Sequence, residues 1–332
     1  MNESVRQDRK KILEEYLKKE KLKIASEFEK KIEVIPSGSL ILNEALGNGG
    51  YVRGSIVDIF GQPSGGKSLL TLLAVREVQK MGGIAVIVDA ERSYTKSLNW
   101  LKTLGINTDE LYLIHKRTGE EALDTVYDLI VKNAVDLIVV DSVPALIPQA
   151  IIEKQLTESQ KIGSLALLMS TALQKLTSVI DDSKVVCIFV NQLRANIDLR
   201  SPYVSNTEEA TGGYALKFYA SVRISVSAIK GSEIYDENGI QIGHRIRFKI
   251  VKNKLATPYK TGEFDLYYNK GVDNVKELAE LLIKNGIVKQ SGPWYFLGEE
   301  HKFQGFNKLY DYLKNEEVYN QYLKLLYENT KS

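Results

Sequence analysis

The sequence predicts an α/β fold. A mostly parallel central sheet is extended by antiparallel strands, with an N-terminal helix before it and a small α+β C-terminal domain after it. Three observations predict this. Between Ser55 and Asn191, the runs "SIVDIF", "IAVIVDA", "LYLIH", "LIVVDS" and "VVCIFVN" are nearly apolar throughout. Helical periodicity fills the segments between the first four and returns over Gly163–Ile180. Strands without polar alternation, separated by helices, belong to a parallel sheet buried on both faces. After "TGG" the pattern changes: "YALKFYASVRISVSAI", "GHRIRFKIVKNK" and "GEFDLYYN" alternate without long helices, as antiparallel strands added to that sheet would.

The elements divide the chain in order. Residues 1–35 are dense in charge, and Ile12, Leu13, Tyr16 and Leu17 are spaced for one helix face. That face is either solvated or a contact for a neighbouring subunit. The core is expected over 36–270. From about Gly271, "NVKELAELLIKNG" opens a lysine-rich tail over 271–332.

Composition narrows the class. With 44% hydrophobic and 26% charged residues in 332, the chain has ordinary globular composition. A single cysteine, Cys187, excludes a disulfide framework, and three scattered histidines leave no His/Cys metal cluster. No apolar stretch reaches the length of a membrane span, and the lysine- and glutamate-rich N-terminus lacks an apolar signal region. A cytoplasmic protein with no membrane partner is expected. The net charge of +2 neither demands nor forbids nucleic acid, so a DNA site must be a local patch.

The stretch "GQPSGGKSLL", Gly61 to Leu70, fits G-x-x-x-x-G-K-[ST]. Glycines let successive backbone N–H groups turn inward onto phosphate oxygens, and the helix that follows adds its positive dipole end. Gly61, Gln62, Pro63, Ser64, Gly65, Gly66, Lys67, Ser68 and Leu69 form this P-loop. Lys67 would neutralise the β- and γ-phosphates, and the Ser68 hydroxyl would ligate Mg2+. A strand before the loop and a helix after it supply the context that separates a nucleotide site from a chance glycine turn.

Other candidates stand at strand ends, where open α/β sheets bind ligands. Asp141, closing "VDLIVVD", would orient Mg2+ or its water shell; an aspartate capping the next helix is the alternative. Glu91, in "IVDAE", could position and deprotonate an attacking water. Gln192, in "VNQLR", could contact a γ-phosphate without competing for Mg2+, or be a satisfied polar strand end.

"ALKFYASVR" after "TGG", and "IVKNK", make the reading more specific. With "SGSL…ALGNGG", "VDAE", "VDLIVVDSV", "VNQ" and "GPWY", they closely resemble the bacterial RecA family of homologous-recombination ATPases, over about Ile35 to Leu326. The resemblance implies a RecA-type P-loop NTPase core. It implies that Glu91 activates water and that Gln192 links the γ-phosphate to the loop just after it. Lys252 and Lys254, whose spacing alone also fits a solvated strand face, would reach across a subunit interface to a neighbour's γ-phosphate. Two loops, about Glu153–Lys161 and Ala195–Thr211, would line a DNA channel, with Gly212, Gly213, Ser170 and Arg194 near the DNA backbone. The adenine-stacking aromatic aligns with Trp100, with Tyr94 as the rival.

There are departures from the family. Leu167 and Gln174 stand where the family commonly has arginines, the loop reads "GQPSGGKS" where it favours "GPESSGKT", and a strongly acidic C-terminal extension is not expected. The resemblance implies a DNA-dependent ATPase that uses ATP and Mg2+. It would form a head-to-tail helical filament on single-stranded DNA and exchange strands with homologous double-stranded DNA. A ring-forming motor of the same fold and a non-hydrolysing DNA-binding filament protein are the alternatives.

Overall fold

The computed structural model describes residues 3–20, 32–153, 163–195, 208–210 and 212–329. The chain divides into two units, Met1–Glu33 and Val34–Ser332. The first contains helix α1 (Glu3–Glu20), on which Ile12, Leu13 and Tyr16 are exposed.

The second unit opens with a small antiparallel ribbon, β1 (Val34–Ile35) and β2 (Tyr51–Val52), around helix α2 (Leu40–Leu46). Strand and helix then alternate: β3 (Ser55–Gly61), α3 (Lys67–Lys80), β4 (Ala85–Asp89), α4 (Leu98–Thr103), β5 (Leu111–Ile114), α5 (Gly119–Val131) and β6 (Leu137–Asp141). Next come α6 (Gln149–Ile152), α7 (Ser164–Ile180), β7 (Val186–Ala195), β8 (Glu208–Ala210) and α8 (Ala215–Tyr219). Three strands follow, β9 (Val222–Tyr235), β10 (Gln241–Asn253) and β11 (Thr261–Tyr267), and then the short β12 (Gly271–Val272). The C-terminal segment adds α9 (Asn274–Lys284), β13 (Val288–Ser291), β14 (Trp294–Leu297), β15 (His301–Gln304), α10 (Phe306–Leu313) and α11 (Glu316–Asn329).

The main sheet runs β12-β11-β10-β9-β3-β7-β6-β4-β5, with β8 paired to β7. From β9 through β5 every neighbouring pair is parallel, and β10, β11 and β12 are antiparallel additions. The first run after "TGG" therefore differs from expectation. Its opening residues form the short helix α8, and β9 is parallel to its inner neighbour β3; antiparallel pairing begins only at β10. The reason is topological. To pair in parallel with β3, the chain must first return from the carboxyl edge of the sheet to the amino edge, and α8 belongs to that crossover.

The apolar runs have a direct cause. In β3 every residue is buried, with Val57 and Ile59 packed among the α3 leucines and Ile56 on the opposite side with α5 and α7. Each such apolar side chain contributes on the order of 1.5–3 kcal/mol by burial, and a strand covered on both faces favours one on either side, with Asp58 admitted only because Arg223 pairs with it. Among the described residues no helix is long and apolar enough to cross a membrane.

The C-terminal segment has its own apolar cluster, centred on Leu278, Leu282, Leu309 and Leu313, which also takes in Leu40 of α2. A buried carboxylate joins the two parts. Glu277, in the first turn of α9, accepts a hydrogen bond from the Ser39 hydroxyl at 2.7 Å and from the Leu40 N–H at 2.5 Å. Ser39 is itself the N-cap of α2, accepting from the Leu42 N–H at 3.1 Å. Glu277 therefore satisfies α2 donors that have no partner within the helix.

Burial pushes the Glu277 carboxyl up to about 8, against the lowering effect of those donors. The folded protein then holds this proton more tightly than the unfolded chain, where the group titrates near 4.5. The stability contributed by this group falls as pH rises from about 5 to about 8. Glu277→Gln should flatten that slope, read as the difference between wild-type and variant urea unfolding across the window. Glu277→Ala, which leaves α2 donors without a partner, should cost about 1–3 kcal/mol.

Candidate active site

The parallel register brings the candidate residues to one edge. Gly61 at the end of β3 pairs with Gln192 of β7, and Asp89 of β4 pairs with Asp141 of β6. Strand β7 lies between β3 and β6, so the Gln192 strand stands between the P-loop strand and the Asp141 strand.

The P-loop leaves β3 through a tight turn. A Cβ on Gly61 would lie 1.9 Å from the Val226 carbonyl oxygen, so a glycine is required there. Gly66 sits at φ +88 as the residue before α3, and a Cβ there would meet Leu266 at 2.5 Å. Gln62, Pro63 and Ser64 are exposed, Gly65 and Leu69 are buried, and Ser68 is half-buried. Lys67 is buried, and its ammonium donates to the Gln62 carbonyl at 2.7 Å. Burial lowers the Lys67 pKa, and the Asp141 and Glu91 carboxylates oppose that shift. All three charges therefore act on one another.

Asp141 is buried and accepts hydrogen bonds from the Tyr94 hydroxyl and from Ser68. Burial raises its carboxyl pKa, against these two donors. Mg2+ takes a few protein oxygens and completes its shell with phosphate oxygens and water. A hydroxyl and a carboxylate already hydrogen-bonded at the start of α3, with Lys67 beside them, form a donor set that fits this ion. Among the described residues no cluster of three or more His, Cys, Asp or Glu side chains offers another metal site.

Glu91 is exposed, and its Oε1 accepts a hydrogen bond from the Ser142 hydroxyl at 2.6 Å. The peptide joining Asp141 to Ser142 is cis. Asp89 has a different task. It accepts from the Ser93 and Tyr94 N–H groups and contacts His115 Nε2 at 2.9 Å, so it holds the turn that follows Glu91. Trp100 is 36% exposed and donates its indole N–H to the Tyr268 carbonyl at 2.7 Å, just beyond β11. Tyr94 is only 3% exposed and its hydroxyl is engaged by Asp141, so of the two aromatics Trp100 is the one with an open face.

The two lysines of "IVKNK" lie elsewhere in the same protomer. Lys252 donates to the Lys217 and Phe218 carbonyls at 2.7 and 2.8 Å, and Lys254 approaches the Phe218 carbonyl at 3.4 Å. Both therefore sit at the carboxyl end of α8. Burial, then the Lys254 and Arg223 charges, bring Lys252 down to about 8. Beneath them Arg223 forms a buried ion pair with Asp58 of β3 at 2.8 Å, which ties β9 to the P-loop strand.

At the other end of α8, Gly212 and Gly213 adopt positive φ and press against α7; added Cβ atoms would meet Val143, Met169 and Ala166. Ser170 is on the exposed side of α7 with Leu167 and Gln174. Ser170 and the two glycines thus share one region of the surface. The backbone of Arg194 pairs with Glu209 in β8. Its side chain and nearly all of both expected DNA loops lie outside the described residues.

Two partners escape sequence reasoning. Ser142 has only its place after Asp141 to suggest a role. Tyr94 enters the sequence reading as an aromatic face, whereas in the structure its hydroxyl is what matters.

The chain matches the family model described as RecA N-terminal domain over residues 3–273. It is 42% identical over 305 residues to Protein RecA of Borrelia duttonii (strain Ly), covering 90% of this chain and 82% of that protein. It is 44% identical over 286 residues to Protein RecA of Mycoplasma mycoides subsp. mycoides SC, covering 86% and 80%. Protein RecA of Borrelia turicatae is 44% identical over 296 residues, covering 88% and 79%. A P-loop, a strand-end aspartate and an adjacent glutamate converge on one edge of a RecA-type sheet, and with these matches the chain belongs to the RecA family.

Proposed function

We propose that this chain is an ATP-dependent DNA recombinase of the cytoplasm that assembles head to tail on single-stranded DNA and pairs it with homologous duplex. The observation that carries this reading is the convergence of Lys67, Ser68, Asp141 and Glu91 at one sheet edge in a member of the RecA family.

ATP is the substrate. The P-loop N–H groups receive its phosphates, and the Lys67 ammonium exchanges the Gln62 carbonyl for phosphate oxygens. Ser68 directly, and Asp141 through the water shell, would hold Mg2+, which would supply charge neutralisation on the phosphates. Trp100 offers its open face to the adenine. Glu91 orients a water in line with the γ-phosphorus and takes its proton. As the new P–O bond forms, the bond from the γ-phosphorus to the β–γ bridging oxygen breaks; that oxygen keeps the electron pair and leaves as part of ADP, and the γ-group leaves as phosphate. Gln192 contacts the γ-phosphate from the intervening strand.

Lys252 and Lys254 act in trans, on the γ-phosphate of a neighbouring protomer. Their place supports a coupling. They grip one end of α8, and Gly212 and Gly213, which would offer N–H groups to DNA phosphates, immediately precede the Tyr214 N-cap at its other end. A shift of that turn on DNA would move the lysine pair with it. Ser170 and Arg194 contribute to the same DNA face. In this reading residues 1–35 are a polymerisation segment, 36–270 the ATPase core and 271–332 a duplex-gathering domain. Lys284, Lys289, Lys302 and Lys308 are all exposed there, Lys284 paired with Glu44 and Lys302 lying over the Trp294 ring. ATP binding sets the DNA-gripping filament and hydrolysis releases it. DNA affinity should fall with salt and be largely independent of sequence.

Three outcomes test this reading. Glu91→Gln should retain ATP and single-strand binding but lose about 10²-fold or more in turnover, because an amide cannot accept the proton. Normal turnover in that variant removes Glu91 from the mechanism. In a Trp294→Phe background, Trp100 is the sole tryptophan, and its fluorescence should change on adding an ATP analogue. Finally, Glu91→Gln should be mixed with a Lys252→Ala, Lys254→Ala double variant on single-stranded DNA. Turnover should partly recover, because some interfaces then join intact partners; demonstrated co-assembly without recovery returns both lysines to a structural role.

A further inference from the structure

We propose that Tyr94 is a positioning residue for the metal: its hydroxyl fixes Asp141, and with it the segment carrying Glu91, against the water shell of Mg2+. This rests on the reading of the site as an ATP–Mg2+ centre. Tyr94 is enclosed, and its hydroxyl is placed on the Oδ2 of Asp141 and within hydrogen-bond reach of Ser68. Its backbone is fixed as well. The Ser93 and Tyr94 N–H groups donate to Asp89 at 2.9 and 3.1 Å, and Asp89 is the strand neighbour of Asp141.

The result is a double clamp. Residues 89–94 are joined to residues 141–142 by Tyr94 on Asp141 and by Ser142 on Glu91. Glu91 lies between the two anchored ends of this short segment. A buried carboxylate with a single donor can turn about its last torsion; with Tyr94 and Ser68 both on it, the orientation is set. The lone pairs left over are then fixed in direction and available to receive water ligands of Mg2+. Partners of this kind typically change metal affinity by about 10–100-fold when removed. A tyrosine serving only to fill the core would need its ring and no hydroxyl.

The test is a titration of Mn2+, as a spectroscopic substitute for Mg2+, into the full chain with a non-hydrolysable ATP analogue, followed by electron paramagnetic resonance. Tyr94→Phe keeps the ring and removes the oxygen. It should raise the Mn2+ concentration at half-saturation about 10-fold while leaving metal-free binding of the analogue within about twofold of wild type. Asp89→Asn, which retains the hydroxyl but weakens the backbone anchor, should move the same midpoint in the same direction by less. It decides the matter if the phenylalanine variant does not fold. An unchanged midpoint, or an equal loss of metal-free binding, overturns the proposal. If the wild-type chain itself fails to take up Mn2+ with the analogue, the ATP–Mg2+ reading falls too; if wild type binds and Tyr94→Phe matches it, only the role of Tyr94 is lost.

Discussion

The chemistry of this molecule depends on parallel strand register. Strands β3, β7, β6 and β4 run the same way, so their carboxyl ends deliver Gly61, Gln192, Asp141 and Asp89 to a common edge. None of these residues is near another in sequence, and no loop has to be ordered to bring them together. The constraint is steric and apolar before it is electrostatic. The sheet holds its register because both faces are packed, by α3 on one side and by α5 and α7 on the other. The polar groups are then carried on a rigid frame, which suits a site that must neutralise phosphate charge without rearranging.

A second layer of order lies behind that edge. The Asp58–Arg223 pair joins the P-loop strand to β9, and Lys252, which pairs with Arg223 across β9 and β10, grips the end of α8. One removes a charge from solvent beneath the site; the other ties the antiparallel extension to a short helix that touches the expected DNA face. The P-loop strand, the antiparallel extension and α8 are therefore connected by direct contacts rather than by proximity alone.

Much of this was legible in the sequence because it is local. The P-loop is written in consecutive residues, since backbone geometry and phosphate contact both need those glycines there. Strands buried on both faces read as apolar runs, and Asp141 and Glu91 declare themselves by ending such runs. What was not legible is pairing across distance. Nothing local says that β7 enters between β3 and β6, or that β9 is parallel to β3. The Tyr94 hydroxyl reaches a partner 47 positions away, so the residue reads only as an aromatic. Glu277 falls in the first turn of an amphipathic helix, where an acidic residue is ordinary; its burial against α2 exists only once the C-terminal segment has docked.

That contact has a consequence for how the chain comes to be folded. The N–H group of Leu40 receives its acceptor from a residue 237 positions later. During synthesis, at roughly 5–20 residues per second, α2 therefore waits on the order of tens of seconds for its last cap. Through that interval the segment leading into the P-loop strand relies on the local side chains of Ser39 and Asn43 to accept from its N–H groups, while the apolar surface of Leu40 lacks the cluster that later covers it. The ATPase core can collapse around β3, β6 and β7 beforehand, but its entrance closes last. A nascent chain interrupted before α9 would keep its nucleotide machinery and expose an unfinished edge, the kind of surface on which chaperones act.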